Sequence, residues 1–286
     1  MNRRLLFWTV ALTAMTIAVP LLAGRLDEVH DEVPAAAYKG VEMNVEFSAG
    51  RIDIAPSSSD LPVQLDALYL ARYIDYDFDY EDDGGVCRVF AKSEFEHHRG
   101  RDYDDIDNEW NVDLSTKYPL NLDFELGACE GIFDLGGLKI EEIMLEVGAA
   151  DLEIDFSAPN PVRMREFNAN CGASSLVIDG LANANVDHMD FDIGAGSCDI
   201  DFRGDFKGET EVTIDVGVGS MDVIVPRNVA ILIRGDAGMF SSLDISGLDV
   251  RETRRDTWES DDFDTAKDRL IFDVSIGIGS VDIKGR

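Results

Sequence analysis

The sequence predicts an all-β chain: a β-solenoid of stacked rungs of about 22 residues, preceded by a smaller β region. Three observations carry that expectation. A motif recurs in which apolar and polar residues alternate up to a Gly-centred break and then alternate again, as in FELGACEGIFDL, LEVGAADLEI, NANCGASSLVI, FDIGAGSCDI, IDVGVGSMDV and VSIGIGSVDI. Its leading glycines, Gly127, Gly148, Gly172, Gly194, Gly217 and a weaker copy at Gly238, keep a step of roughly 22 residues. Gly277 follows only after a gap nearly twice as long. The period of two also places apolar residues at matching positions in each copy, from Phe124 and Leu126 to Val281 and Ile283. Evenly spaced strands of a β-sandwich would explain the step but not the recurring motif.

The first 24 residues read as a signal peptide or N-terminal membrane anchor. Asn2-Arg3-Arg4 precede an unbroken uncharged run from Leu5 to Ala23. At about 1.5 Å per residue such a run just spans a hydrocarbon core of roughly 30 Å, so its length fits both readings. Cleavage after Ala23 puts Leu21 where a small residue is preferred, and Arg25 stands where a lipobox needs Cys, which excludes lipid attachment. In either case the remainder is exported to the bacterial cell envelope, and membrane contact is expected only through residues 5–23, if they are retained.

Residues 40–98 form the smaller β region. Strands are expected at Val63–Leu70, Tyr73–Tyr80 and Val86–Phe90, with a turn at Glu81–Gly85. Within the second, Ile74, Tyr76, Phe78 and Tyr80 alternate with Asp75, Asp77 and Asp79, the pattern of a half-buried strand with an acidic outer face. Residues 99–109 are a charged linker. The solenoid occupies residues 110–286, although EFSAGRIDI near residue 50 already shows the motif with Ser48 in the Gly place. Each rung is expected to hold two or three short strands joined by tight turns, stacked in chain order about 4.8 Å apart. Gly at the break serves either a positive φ or a close approach of the neighbouring backbone. A polar insert, residues 249–264, interrupts the array.

Composition narrows the partners. The 57 acidic residues against 25 basic give a net charge of −32, which repels phosphate backbones and excludes nucleic acid. Cys87, Cys129, Cys171 and Cys198 show no metal-ligand spacing and read as small buried hydrophobes. Oxidation would allow two bridges in three pairings. A Cys171–Cys198 bridge is not expected, because five positions along a straight strand are about 16 Å.

No GxSxG elbow, P-loop or HExxH occurs, and the chain is read as non-enzymatic, with no cofactor unless Ca²⁺. His97-His98 lie among acids but read as a solvated loop. GAGSCDIDF superficially matches a calcium-binding nonapeptide, yet copies about 22 residues apart cannot form that roll. A polysaccharide-active β-helix enzyme is the catalytic alternative. It would need acids clustered with bases on one face, drawn from Arg163, Arg165, Arg203, Lys207, Arg227 and Arg234. Two places before each break stand Glu46, Glu125, Glu146, Asp192, Asp215 and Asp236, with Asn170 interrupting. In-register stacking would make these a carboxylate ladder, either a solvated face that resists edge pairing or, along Asp192, Asp215 and Asp236, a site for Ca²⁺ or Mg²⁺.

Three stretches resemble a known family: NEWNVDLSTKYPLNLDFELGACEGIFDLGGL, VGVGSMDVIVPRNVAILIRGDAG and FDTAKDRLIFDVSIGIGSVDI. With EFSAGRIDI they make most of residues 41–286 similar to the toast-rack group of bacterial envelope proteins, which is related to LiaF-like C-terminal domains and adhesin modules. The resemblance implies a stacked-strand β fold outside the cytoplasm, no known catalytic residues and, by analogy, a role as accessory to envelope stress signalling; the long flat faces of a solenoid suit binding to an envelope protein or polymer, as a scaffold or adhesin-like module does.

Overall fold

The computed structural model describes residues 26–95 and 107–286. The signal or anchor segment and the His97-His98 loop lie outside the described residues. The strands are β1 Leu26–Glu32, β2 Gly40–Ser57, β3 Val63–Leu70, β4 Ile74–Asp83, β5 Val86–Phe95, β6 Asn108–Ser115, β7 Pro119–Asp134, β8 Lys139–Asp155, β9 Met164–Asp179, β10 Val186–Asp201, β11 Glu209–Val225, β12 Ala230–Ala237, β13 Ser241–Ser246, β14 Val250–Arg254, β15 Thr257–Ser260 and β16 Arg269–Gly285. They form one sheet. Its centre is a parallel stack of seven long strands in the order β2, β7, β8, β9, β10, β11, β16.

Each rung is therefore one long strand rather than two or three short ones, plus a return loop. In β10 the burial alternates through Phe191 and Ile193, breaks at Gly194–Ser197, and resumes at Cys198 and Ile200. This break divides every long strand into two arms. Both turn apolar side chains into one continuous core, where Phe124, Leu145, Phe191 and Ile214 from the first arm meet Ile154, Leu176, Ile200 and Val223 from the second. Burying each such side chain contributes about 1.5–3 kcal/mol. The return loops close the remaining side with Leu135, Leu138, Phe156, Leu181 and Phe202, all buried. Buried Asn160 holds two of these loops by donating from Nδ2 to the carbonyls of Ile140 and Ala184, at 2.7 and 3.1 Å.

Of the two uses foreseen for the break glycine, close approach is the one realised. A Cβ on Gly217 would stand 2.6 Å from the carbonyl oxygen of Gly194, and one on Gly277 2.6 Å from that of Gly217. Real Cβ atoms do not approach backbone oxygens so closely, so the column stays Gly.

At the N-terminal end the sheet forks on β2. Its first arm, besides β7, pairs with β5 and through it with β4; its second arm pairs with β6 and on to β3 and β1. Residues 40–57 are thus a rung of the stack itself, in register with β7 from Val41 to Ile54, and the sheet runs straight across the boundary expected near residue 110. The expected strands at 63–70, 73–80 and 86–90 appear as β3, β4 and β5. Trp110 closes this end, packed edge-on against Phe47 and Tyr76 with ring centroids 5.1 and 5.5 Å apart.

At the C-terminal end space order departs from chain order. The expectation placed Gly238 beside Gly217, but β16 is the strand that pairs with β11, from Glu209↔Arg269 to Val225↔Gly285. The Gly238 segment lies on the far side of β16 as two separate strands, β12 and β13. Residues 249–264 include the hairpin β14–β15, which extends the first arm beyond β12, so the insert adds strands to the sheet. Trp258 on β15 packs partly buried on the core, over Gly235.

Candidate functional site

The carboxylate ladder forms, with a different sequence of members. Along the first arm the register reads Lys92, Glu46, Glu125, Glu146, Asn170, Asp192, Asp215, Ser275, Asp236. Lys92 neutralises the near end, 3.0 Å from Glu46 and 3.2 Å from Glu94. The unbroken run expected of Asp192, Asp215 and Asp236 as a cation site is corrected by this register. Asp215 neighbours Asp192 but is separated from Asp236 by Ser275, because β16 intervenes. Among the described residues no group of three His, Cys, Asp or Glu side chains is placed to hold a metal ion.

Like charges nevertheless act on one another here. Partial burial, and then the carboxylates of Asp215, Asp192 and Glu166, raise the pKa of Asp190, which lies on the same face two residues before Asp192. At the strand ends Asp155 is raised likewise, by burial first and then by Asp134, Asp179 and Glu153.

Two rows on the second arm escaped the sequence reading. Ser175, Ser197, Ser220, Ser280 and Ser242 stand in consecutive register. Beside them run Asp199, Asp222, Asp282 and Asp244, an unbroken line of four carboxylates. Lys284 contacts Asp222 and reaches Asp282 at 3.6 Å. The signal lay in the repeated Ser-x-Asp of GSCDI, GSMDV and GSVDI. Between the arms the corner carries Ala128, Ala149, Ala173 and Ala195, then larger apolar groups: Val218 and Ile278 are each 52% exposed, Met239 92% and Phe240 74%.

The basic residues that a β-helix enzyme would gather are spread over local contacts, although Arg163 also donates to the Lys207 carbonyl at 3.0 Å. Arg163 contacts Asp187 at 2.6 Å, Arg165 Glu142 at 2.8 Å, Arg203 Asp179 at 2.8 Å, Lys207 Asp205 at 2.5 Å and Arg234 Asp273 at 2.9 Å, while Arg227 meets the Gly285 carbonyl at 3.4 Å. Arg227 also lines a recess of about 240 Å³ with Asp249, Asp261 and Asp262.

All four cysteines are buried and free. Burial holds the Cys129 thiol up at about 12 and raises that of Cys198, to which Cys171 adds a smaller effect. In register Cys171 pairs with Ile193, five positions before Cys198, and no bridge joins the two. Cys171 precedes its corner and Cys198 follows the next, so both side chains turn into the same core.

Comparison with known proteins came to the following. The family model described as the N-terminal domain of toast_rack, DUF2154, matches residues 23–179 and 159–224. No curated protein matches the chain. Among solved structures, a protein of Clostridium sporogenes ATCC 15579 provisionally named a cell adhesion protein is 16% identical, with 92% of this chain and 100% of that one covered and a TM-score of 0.47. One from Parabacteroides distasonis ATCC 8503, provisionally named lipid binding, is 14% identical over 92% and 98% with a TM-score of 0.35. A provisionally named adhesin of Bacteroides fragilis NCTC 9343 is 11% identical over 92% and 97%, with a TM-score of 0.29.

Proposed function

The chain belongs to the toast-rack family, and from that premise we propose that it is an exported, non-enzymatic module of the cell envelope that offers a stacked face to a protein or polymer, as an adhesin or scaffold does. The observation that carries this reading is the paired serine and aspartate rows of the second arm. Neighbouring strands lie about 4.7–4.9 Å apart, so the same hydroxyl and carboxylate are offered again at every step. An extended partner can meet that pattern many times, and many weak polar contacts then sum to useful affinity. A compact substrate gains nothing from the repetition. An accessory role in envelope stress signalling would make the partner a membrane signalling protein.

The test is capture from cell-wall and membrane fractions with the tagged protein, compared with the double variant Ser197→Arg, Ser220→Arg. Both serines are exposed, so the variant obstructs the middle of the row while sparing the core. A partner retained by the parent and lost by the variant supports the reading. Equal retention by both removes this face from consideration.

A further inference from the structure

We infer a separate binding site, for a linear alkyl polyamine, in a trough on the outer face of the first arm at the N-terminal end of the stack. The trough encloses about 630 Å³. One row of side chains crosses it: Asp79 of β4 pairs with Phe90 of β5, Phe90 with Asn44 of β2, Asn44 with Asp123 of β7, and Asp123 with Met144 of β8. Phe90 points away from the core, and Met144 at the far end is the row's other apolar side chain. Asp79 and Asp123 are three strands apart, about 14 Å at the usual spacing.

A carboxylate, an aromatic ring and a second carboxylate in line match a flexible chain with ammonium groups joined by methylenes. The carboxylates take the ammonium groups, while the ring takes methylenes and the face of a nearby cation. The next row already has basic partners: Arg88 lies 3.0 Å from Glu42, 3.7 Å from Glu81 and 2.7 Å from Asp83, and Arg165 pairs with Glu142. Among the described residues Asp79 and Asp123 have no basic partner; Asp79 accepts from the Tyr80 amide and Asp123 from Asn44. The Asn44 and Asn121 side-chain oxygens are occluded and without a donor, a cost that an entering N–H group would relieve once the amides rotate. An inorganic ion fits poorly, since carboxylates so far apart cannot share one small cation.

The experiment is calorimetric titration of spermidine into the full protein at about 0.15 M salt, where a Debye length of about 8 Å screens diffuse attraction. Saturable binding is expected at one site. Asp123→Asn and Phe90→Leu should each weaken it about tenfold, the scale of one lost charge-assisted contact. Glu153→Gln, which removes the same charge from the other arm, should leave it unchanged, and Mg²⁺ at matched ionic strength should not displace the polyamine. Non-saturating heats, equal losses in Asp123→Asn and Glu153→Gln, or displacement by Mg²⁺ would each overturn the site.

Discussion

The middle of the stack and its C-terminal end are built from one motif by different rules. From β7 to β11 each strand lies beside the one before it in the chain, and the column of break glycines is continuous. At the end, β16 occupies the place that chain order would assign to β12 and β13. What seats a rung is therefore backbone fit at the corner. Gly277-Ile278-Gly279-Ser280 repeats Gly217-Val218-Gly219-Ser220, and both of its glycines sit over carbonyls of that rung: a Cβ would come within 2.6 Å of the Gly217 oxygen and 1.7 Å of the Gly219 oxygen. Gly238-Met239-Phe240-Ser241-Ser242 is one residue longer, setting Ser241 opposite Gly279 and Ser242 opposite Ser280, and its corner splits into two strands. It can terminate the stack but not continue it.

The contrast is broken most severely by a charge in each core. Val216 is 3% exposed between two full rungs, whereas Ile245 on terminal β13 is only partly buried. Val216→Asp should abolish the cooperative melt, because an unpaired buried carboxylate costs several kcal/mol. Ile245→Asp should lower the melting temperature and leave a folded protein, as read by circular dichroism. Equal damage from both would mean that the terminal strand is as much part of the core as the middle.

A smaller effect separates the two glycines. Gly217→Ala drives a methyl against the Gly194 carbonyl, and should cost about 1–3 kcal/mol in denaturant unfolding. At Gly238 the nearest atom to a new Cβ is the Ser241 hydroxyl at 3.6 Å. Gly238→Ala should be neutral or stabilise by up to about 1 kcal/mol, through a less flexible unfolded chain. Finding the two substitutions equally harmful would contradict the order in which these rungs are stacked.

The smallest effect is electrostatic and confined to the middle. The Asp190 pKa is raised in the folded protein, so protonation there favours folding. That contribution is complete below the ordinary carboxylate pKa of the unfolded chain and is lost as pH rises through the raised native value. Asp190→Asn should therefore melt slightly higher than the parent at pH 7, with the gap closing as pH falls toward 4. A constant gap would show that repulsion from Asp215 and Asp192 is screened away.

Much of this was readable from the sequence, for a physical reason. Alternation and break glycines are local, so the inward assignment of residues such as Ile193 and Val216 follows from neighbours in the chain. The order of the last rungs is not local. The long step to Gly277 reads as an insertion into an ordered array, although the extra residue between Gly238 and Ser242, absent between Gly217 and Ser220 and between Gly277 and Ser280, distinguishes the copies. The same error displaced Asp236 from beside Asp215. Phe90 illustrates a different limit: its strand was legible, but the row it joins with Asn44 and Asp123 exists only after distant strands pair.

The late position of β16 sets a schedule for the growing chain. Synthesis delivers β12 to β15 before β16, yet the surface on which β12 and β13 rest is β16 itself. Until residues 269–285 arrive, the exposed side of β11 is an open strand edge, and the segment from 230 to 260 has nowhere to dock. Earlier rungs can close one after another as they emerge. Strands β12 to β15 must wait for β16 and then settle together with it, so a chain halted before residue 269 would carry an unsheltered edge and a stranded hairpin, both open to proteases and to pairing with other chains.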